Sequence, residues 1–281
     1  MGELYRQFIE RNDLDIHKWH DYFPIYERHF ATFRGTAPKM LEIGVQRGGS
    51  ARLFADWLGA GTRITGVDID ERCRAHAVPG LIDIEIGDQT NTAFLGDLAR
   101  KHGPWNIILD DGGHTDNQIL TSFDVLFPHL AEGGIYLIED THAHFFDASF
   151  RDHPEGKSVV TFVADLFSGM HRWTGEMSRF AHWHVPPPER REPVDAPATT
   201  RYIQSVHLYD SVIVIQKKTR HEPFCEVRTR GVARATPFRV ADADAPSESE
   251  RLMNELQAMR QSTSWRLTAP LRRLANLLKG R

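Results

Sequence analysis

The sequence predicts an α/β fold: a doubly wound, mostly parallel sheet, closed by a C-terminal antiparallel hairpin and followed by a separate helical tail. Three observations predict it. Between residues 40 and 138, five short apolar runs alternate with stretches of helical period. Two β-rich runs near residues 201–217 are joined by a tight turn, and an amphipathic basic segment ends the chain. Alternating strand and helix patterns are typical of parallel sheets with right-handed crossovers.

The chain of 281 residues is long enough for one domain of about 200 residues with additions at both ends. We predict an N-terminal helical segment over 1–35, in which Pro24 interrupts the helical pattern, and the main domain over 36–218. The apolar runs are each rich in Ile, Leu and Val, as strands buried on both faces are. They are Met40–Val45, Ile64–Ile69, Leu81–Ile86, Trp105–Leu109 and Ile135–Ile138, with helices predicted over 50–59, 91–102 and 116–131.

The end of the chain differs from this pattern. Arg201–Leu208 and Ser211–Lys217 are predicted to pair through a Tyr209–Asp210 turn. Before them come a predicted helix near 157–170 and a long Pro-, His- and Trp-rich loop, a kind of loop that is often functional. Residues 219–246 are predicted to be a linker, and 247–281 an amphipathic, basic helical tail.

Composition limits the classes of function. The net charge of −4 argues against a nucleic-acid binder. The two cysteines, Cys73 and Cys225, have no metal-ligand spacing, which favours a reducing cytoplasm. The N-terminus lacks the apolar core of a signal peptide, and no apolar run of about 18 residues is present. We therefore expect a cytoplasmic protein.

A glycine-rich turn follows the first predicted strand in LEIGVQRGGSARL. Gly44, Gly48 and its neighbour Gly49 permit a sharp backbone turn and the close approach of a ligand. Glu42 precedes the turn, and Ser50 is a candidate N-cap of the next helix. The spacing differs from the G-x-G-x-x-G turn on which a pyrophosphate rests, which argues against nicotinamide and flavin dinucleotides.

Two acids follow the next two predicted strands. Asp68 ends the second, where a carboxylate can accept both hydroxyls of a ribose, and Asp88 follows the third, where it can read an adenine amino group. Glycine-rich turns are common in α/β proteins, so the turn alone does not establish a ligand. The turn together with Asp68 and Asp88 favours nucleoside binding.

Acidic residues and a histidine follow the fourth and fifth predicted strands, in LDDGGHTDNQ and LIEDTHAHF. If these strands are parallel neighbours, Asp110, Asp111, Glu139 and Asp140 meet at one edge of the sheet, where four carboxylates repel one another unless a cation lies among them. Oxygen ligands suit Mg²⁺, or Mn²⁺ or Ca²⁺, better than zinc. The alternative, that these acids only cap helices, explains one aspartate better than it explains both motifs together.

The glycine turn resembles the adenosylmethionine loop of class I methyltransferases, and this resemblance implies that the acids and the histidine serve methyl transfer to a hydroxyl. A sugar hydroxyl is a poor nucleophile, and metal coordination lowers its pKa and orients it. We interpret Asp111, Glu139 and Asp140 as metal ligands and His114 as the general base. General base catalysis typically raises a reaction rate by about 10²–10⁴-fold. Asp110 is assigned to the cofactor with Glu42, Gly44, Gly48, Ser50, Asp68 and Asp88.

The glycine loop resembles the E/D-x-G-x-x-x-G loop of class I methyltransferases, which have a Rossmann-like fold. KWHDYFPIYERHF, LEIGVQRGGSARLF, DDGGHTDNQ, IYLIEDTHAHF and HLYDSVIVIQK resemble, in this order, the bacterial metal-dependent sugar O-methyltransferases. These include enzymes that finish macrolide sugars, and cephalosporin-hydroxylase-type proteins are more distant relatives. The resemblance covers residues 14–218. It implies S-adenosylmethionine, Mg²⁺ on Asp111, Glu139 and Asp140, and His114 as base; residues 143–200 match no known acceptor pattern.

Other histidines and aromatic residues have structural alternatives. His142 and His144 are interpreted as pocket lining rather than metal ligands, and a zinc site at His182 and His184 lacks a further ligand. Trp173 and Trp183 can stack on a sugar but fit half-buried loop positions, while Tyr22 and Tyr26 can cover the cofactor or pack on the sheet. His207 and Tyr209 are interpreted as structural.

The predicted partner is a sugar-containing acceptor, and no nucleic acid is expected to bind. A homo-oligomer and a membrane-surface contact through residues 262–281 are left open. The tail fits a dimerisation helix or a membrane-surface element at the inner membrane face, although Pro270 breaks its period. It resembles tails of bacterial surface-polysaccharide enzymes, so the expected acceptor is a sugar of a surface glycan or a glycosylated metabolite. One alternative is a catalytically silent scaffold that acts through the tail. Another is an iron hydroxylase, but the sequence has no plausibly placed 2-His-1-carboxylate set to bind the iron.

Overall fold

The computed structural model describes residues 2–175 and 196–223. The helices and strands below belong to one of the two units into which the chain divides. One sheet organises this unit. Its strands are β1 (Lys39–Ile43), β2 (Arg63–Asp68), β3 (Ile82–Ile86), β4 (Trp105–Asp110), β5 (Leu130–Ile138), β6 (Ile203–Tyr209) and β7 (Val212–Lys217).

The strand order is β3-β2-β1-β4-β5-β7-β6. The first five strands are parallel, and β7 pairs antiparallel with both β5 and β6. The order reverses direction between β1 and β4, and ligands of open α/β sheets bind beside such a switch point, at the carboxyl ends of the strands. The predicted fold class is confirmed, including the parallel pairing of β4 and β5 on which the predicted metal site depended.

Helices cover both faces of the sheet. Their bounds are α1 (Glu3–Glu10), α2 (Phe23–Phe30), α3 (Gly49–Leu58), α4 (Thr92–His102), α5 (Asp116–Leu126), α6 (Val159–Met170), α7 (Arg172–Gly175) and α8 (Ala198–Tyr202). Side-chain caps fix several helix starts: Asn91 caps α4, while Thr115 and Ser158 form capping boxes at α5 and α6. The helix predicted over 116–131 is shorter than expected, since Pro128 lies in a 3₁₀ turn and β5 already begins at Leu130.

Alternating side chains of the strands build two apolar clusters. Met40 of β1 faces the cluster that includes Leu4 of α1 and Phe54 of α3. Its neighbour Leu41 faces the opposite cluster, with residues of α4, α5 and α6. Each strand therefore reads as a continuous apolar run because the sheet is buried on both faces.

The N-terminal segment is less helical than predicted. A non-helical stretch separates α1 from the 3₁₀ turn His20–Tyr22 that precedes α2. Pro24 does not interrupt a helix but occupies the first turn of α2, where its missing N–H costs nothing. In the hairpin, the turn lies at Asp210–Ser211, one residue later than expected, with Ser211 at φ +66°.

Among the described residues, no helix is both long and apolar enough to cross a membrane. The predicted tail over 247–281, and the predicted linker beyond residue 223, lie outside the described residues. His182, His184, Trp183 and Cys225 do so as well. The predictions for these residues therefore remain predictions from the sequence.

Candidate active site

The glycine turn after β1 is shaped by backbone contacts. Gly44 has φ +90°, and its N–H donates to the carbonyl of Val67 at 2.8 Å. A Cβ there would lie 1.9 Å from the carbonyl oxygen of Asp111. Gly48, at φ +72°, is the N-cap of α3, so the prediction that Ser50 caps this helix is wrong. Ser50 instead lies inside the first turn of α3, where glycine in the left-handed region has already turned the chain.

Two clefts meet at this turn. One, with a volume of about 230 Å³, is lined by the ends of β1, β2, β3 and β4, including Asp68, Asp88 and Ile69. The other, of about 280 Å³, is lined by Ser50 and by the N-terminal residues 15–17. Both clefts are lined by Gly44, Gln46 and Asp111. Together they form a continuous surface of the size that a nucleoside-containing cofactor needs.

The predicted ribose and adenine residues line the first cleft. The carboxylate of Asp68 accepts hydrogen bonds from the backbone N–H groups of Gln46 and Asp70, each at 2.9 Å, which fixes its orientation. Asp88 accepts from the N–H of Thr90 at 2.7 Å and is otherwise exposed. Ile69 is 72% exposed beside them, an apolar wall that the sequence analysis did not identify. Their roles toward a cofactor stay predictions.

Glu42 and Asp110 are buried under the clefts and line neither of them. The Asp110 carboxylate accepts from Gln89 at 3.1 Å and Tyr136 at 3.3 Å, because it faces the same side of the sheet as Ile108. Neither carboxylate oxygen of Glu42 has a hydrogen-bond partner among the described residues. The structure therefore does not bring these two predicted cofactor residues to the cleft surface.

The predicted metal and base residues meet at the ends of β4 and β5. Asp111, His114 and Asp140 each offer a ligand atom within 4.8 Å of the others. The Nε2 atom of His114 lies 3.8 Å from Oδ1 of Asp111 and 3.7 Å from Oδ2 of Asp140. These separations exceed direct hydrogen bonds and fit groups that surround a shared cation or hydroxyl.

The backbone of this site is strained. His114 has φ +62°, Asp140 φ +51° and Gln46 φ +46°, a region that residues other than glycine seldom adopt. Neighbouring contacts hold them: the N–H of Gly113 donates to Oε1 of Gln89 at 3.0 Å, and the capping box of Thr115 starts α5 directly after His114. Strain of this kind concentrates at functional sites, where the surrounding structure maintains it.

Glu139 lies apart from that group of three. Both of its oxygens accept from the Nζ atom of Lys18 at 2.9 Å, and Oε1 also accepts from the Tyr26 hydroxyl at 2.6 Å. Lys18 Nζ donates further to Oδ2 of Asp111 at 2.5 Å. The chain's own ammonium group thus bridges two of the three carboxylates that the sequence assigned to a metal.

Helix α2 and the residues before it also reach Asp140, whose Oδ1 accepts from the Tyr22 hydroxyl at 2.6 Å. The sequence analysis left Tyr22 and Tyr26 undecided and did not single out Lys18. Positions 18, 22 and 26 are spaced by four, which would suggest one face of a helix, but Lys18 lies in the non-helical stretch before the 3₁₀ turn. Helical spacing therefore gave no valid signal for its contact with the acids.

Burial and charge act together on this network. Burial raises the pKa of Glu139 to about 8 and the pKa of Glu42 to about 7, although the positive charge of Lys18 opposes both shifts. Burial by itself lowers the pKa of Lys18, but the charges of Asp111, Glu139 and Glu42 outweigh it and raise the pKa above its ordinary value. Lys18 therefore stays protonated.

The residues present fit both groups that the resemblance implies. Gly44 provides a cradle that a Cβ would fill, and it lies between the two clefts. Asp111 and Asp140 offer carboxylate oxygens suited to a hard divalent cation, and the His114 imidazole lies beside them. Glu139 can bind the ion as a further ligand only if its contact with Lys18 is broken.

The remaining histidines differ in the residues that they contact. Nδ1 of His144 donates to the Asp116 carboxylate at 2.9 Å, and Asp116 also accepts from the N–H of Val159, so this pair ties a loop to α6. The Nδ1 atom of His142 is buried 4.0 Å from Oδ1 of Asp140 and has no hydrogen-bond partner in the part of the chain that the structure describes. His29 contacts the Tyr209 hydroxyl at 2.8 Å, which agrees with a structural role for the hairpin. Trp173 is buried.

A series of rings leads from the acids to the surface, which we call the aromatic row: Trp19, His142, Phe146 and Phe150. Successive ring centroids are 6.0, 5.2 and 5.6 Å apart. Trp19 is 57% exposed and Phe146 is 62% exposed. The row therefore presents apolar ring surface to solvent beside Asp140.

Comparisons with known proteins agree with this arrangement. Residues 41–141 match a family model described as a methyltransferase domain. The chain is 32% identical over 215 residues to demethylmacrocin O-methyltransferase of Streptomyces fradiae, covering 73% of this chain and 51% of that protein. It is 31% identical over 212 residues to mycinamicin VI 2''-O-methyltransferase of Micromonospora griseorubida, covering 72% and 49%. The chain thus spans about half the length of the curated relatives it matches.

The fold comparison gives the same result. The MycE methyltransferase of the mycinamycin biosynthetic pathway, solved in complex with Mg, SAH and mycinamycin VI, has a TM-score of 0.62 to this chain at 26% identity. The match covers 79% of this chain and 54% of MycE. The sheet order, the glycine turn after β1 and these similarities lead to one conclusion. The chain belongs to the class I S-adenosylmethionine-dependent methyltransferases.

Proposed function

We propose that this protein is an enzyme that transfers the methyl group of S-adenosylmethionine to a sugar hydroxyl of a glycosylated metabolite, with Mg²⁺ or Mn²⁺ as metal. The observation that carries the proposal is the meeting of Asp111, His114 and Asp140 beside the cleft that begins at Gly44. Methyl donor, hydroxyl and base must lie within a few ångströms of one another for in-line transfer, and this edge of the sheet brings the corresponding residues together.

The chain's own residues have separate tasks in this reaction. Asp111 and Asp140, with Glu139, would hold the ion, and a bound divalent ion would lower the pKa of the acceptor hydroxyl and orient it. His114 Nε2 would accept the hydroxyl proton, while S-adenosylmethionine would supply the methyl group and leave as a neutral thioether that needs no proton. Gly44 and Asp68, which line the same cleft as Asp111, would hold the cofactor.

Two observations support a sugar-bearing small molecule as acceptor. The aromatic row offers ring surface next to Asp140. Two further relatives have a sugar in their names, an 8-demethyl-8-alpha-L-rhamnosyl tetracenomycin-C 2'-O-methyltransferase of Streptomyces olivaceus and an L-olivosyl-oleandolide 3-O-methyltransferase of Streptomyces antibioticus. These names favour a glycosylated metabolite over the surface glycan that the tail suggested. The grouping of Asp111, His114 and Asp140 also favours an enzyme over a catalytically silent scaffold. A homo-oligomer, a cytoplasmic location and a membrane-surface contact through residues 262–281 stay predictions from the sequence.

The test is a methyl-transfer assay with rhamnosylated macrolides and nucleotide-sugars, with and without Mg²⁺. We expect EDTA to abolish turnover and added Mg²⁺ to restore it. His114→Ala is expected to lower kcat by about 10²–10⁴-fold while S-adenosylmethionine still binds, because the imidazole acts on the acceptor and not on the cofactor.

The matched control is His129→Ala, since His129 lies in the turn before β5 at the opposite edge of the sheet. It is expected to retain wild-type turnover. Full activity in EDTA, or full activity of the His114 variant, would contradict the proposed mechanism.

A further inference from the structure

Lys18 is carried by the non-helical stretch between α1 and α2, yet its ammonium group lies deep in the candidate active site. Its side chain is 4% exposed. All of its polar contacts among the described residues are to the carboxylates of Asp111 and Glu139, at 2.5 and 2.9 Å. A buried ammonium is tolerated only where carboxylates compensate it, so this placement depends on those two acids.

The acids in turn depend on Lys18. Glu139 is 1% exposed, and Tyr26 is its other hydrogen-bond donor. Asp111 and Glu139 lie on neighbouring strand ends, where two carboxylates repel each other unless a positive charge separates them. Lys18 supplies that charge from a distant part of the sequence.

We propose that Lys18 is a tethered counter-ion that holds the metal-binding carboxylates together and competes with the divalent cation for Asp111 and Glu139. The inference rests on the proposed function only in taking these acids as metal ligands. The side of the cluster that faces His114 carries Oδ1 of Asp111 and Oδ2 of Asp140. A cation that enters there meets two acceptors at once, but it gains Glu139 only by taking it from Lys18.

Release of Lys18 has a consequence for the second cleft. Asp15, Ile16 and His17, directly before Lys18 in the chain, line that cleft together with Ser50 and Gly49. Displacement of the ammonium by the ion would therefore release a side chain that anchors a segment lining this cleft.

The test measures binding of Mn²⁺ alone, by calorimetry, to the full chain and to Lys18→Met. Methionine keeps the length and apolar stem of lysine and removes its charge. We expect Lys18→Met to bind Mn²⁺ at least about tenfold more tightly, because a positive charge a few ångströms from the ion is removed. Lys101→Met is the matched control, since Lys101 pairs with Glu85 at the exposed surface, and its affinity should equal that of the wild type.

Lys18→Arg keeps the charge, so its Mn²⁺ affinity should stay near that of the wild type; if the methionine variant folds poorly, the following measurement on the wild type decides. A second readout is acetylation of Lys18, followed by mass spectrometry. In the wild type, Lys18 should be protected without metal and become reactive at saturating Mn²⁺, while Lys101 reacts equally in both states.

Unchanged or weaker Mn²⁺ binding by Lys18→Met, or protection of Lys18 that persists at saturating Mn²⁺, would overturn the inference. These outcomes are independent of catalysis. If no acceptor is methylated but Lys18→Met binds Mn²⁺ more tightly, the proposed function fails and the inference stands. If metal-dependent turnover is found and the two affinities are equal, the reverse holds.

Discussion

At the scale of single residues, the site is built from side chains held in costly states. His114 and Asp140 adopt left-handed backbone conformations, Glu42 is a fully buried carboxyl group, and Lys18 is a buried ammonium. Each costs free energy that packing alone does not recover. Their concentration around Asp111 agrees with a site whose charges are completed by ligands.

Phe146 provides a prediction at this scale. Phe146→Ala is expected to raise KM for a glycoside acceptor by about three- to tenfold with a small change in kcat, because it removes ring surface and leaves His114 untouched. Steady-state kinetics with a rhamnosylated macrolide measures both constants.

Phe167→Ala is the matched control, since Phe167 is 66% exposed on α6 and is not part of the aromatic row. Equal effects of the two substitutions, or a loss confined to kcat, would show that Phe146 does not contact the acceptor.

At the scale of elements, the turn from β1 into α3 decides where both clefts lie. The backbone of this turn packs against Asp111, the residue that follows β4, and a Cβ added to Gly44 would lie 1.9 Å from the Asp111 carbonyl oxygen. One glycine thus fixes the distance between the predicted cofactor loop and the first predicted metal ligand. A side chain at this position must separate the two loops.

Gly44→Ala is therefore expected to lower the free energy of unfolding by more than the about 1–2 kcal/mol that the left-handed conformation costs an alanine, and to abolish S-adenosylmethionine binding. Gly133→Ala separates the two effects. Gly133 has φ +77° and no atom within 4 Å of an added Cβ, so only the conformational cost applies.

Urea unfolding gives the two free energies, and equilibrium dialysis gives cofactor binding. The prediction is contradicted if both variants lose the same stability and both still bind the cofactor.

At the scale of the whole molecule, folding stability should depend on pH through buried carboxyl groups. Burial raises the pKa of Asp110 to about 7 in the folded chain, against an ordinary value of 3.8. The folded state then holds a proton that the unfolded state has released, so this contribution is full below about pH 4 and is lost as pH rises through 7.

Asp110→Asn removes this titration. The wild type should lose up to about 1.4 kcal/mol of stability per pH unit relative to the variant between these limits. Urea unfolding at pH 5, 6 and 7 measures the difference. Asp83→Asn, at an exposed position of β3, is the control: its free energy of unfolding should change with pH in the same way as that of the wild type. A constant difference between wild type and Asp110→Asn would contradict the folded-state pKa.

The sequence by itself determined the strands, the parallel core with its hairpin, the glycine turn and the residues at the ends of β4 and β5. These features are local: apolar runs, turn residues and short motifs are set by the residues that carry them. Errors occurred where a local signal has two readings, as at Pro24, which starts a helix here, and at Ser50, where Gly48 is the cap.

Only the tertiary structure decided which side chains meet. Lys18 lies 93 positions from Asp111 and 121 from Glu139 in the sequence, and no period connects them. Asp110 and Asp111 are adjacent, yet one faces the core and the other the cleft, because successive side chains at a strand end point to opposite faces of the sheet. The sequence predicts the chemistry of these groups, whereas the packing of α2 and its preceding segment over the sheet edge decides what each carboxylate binds.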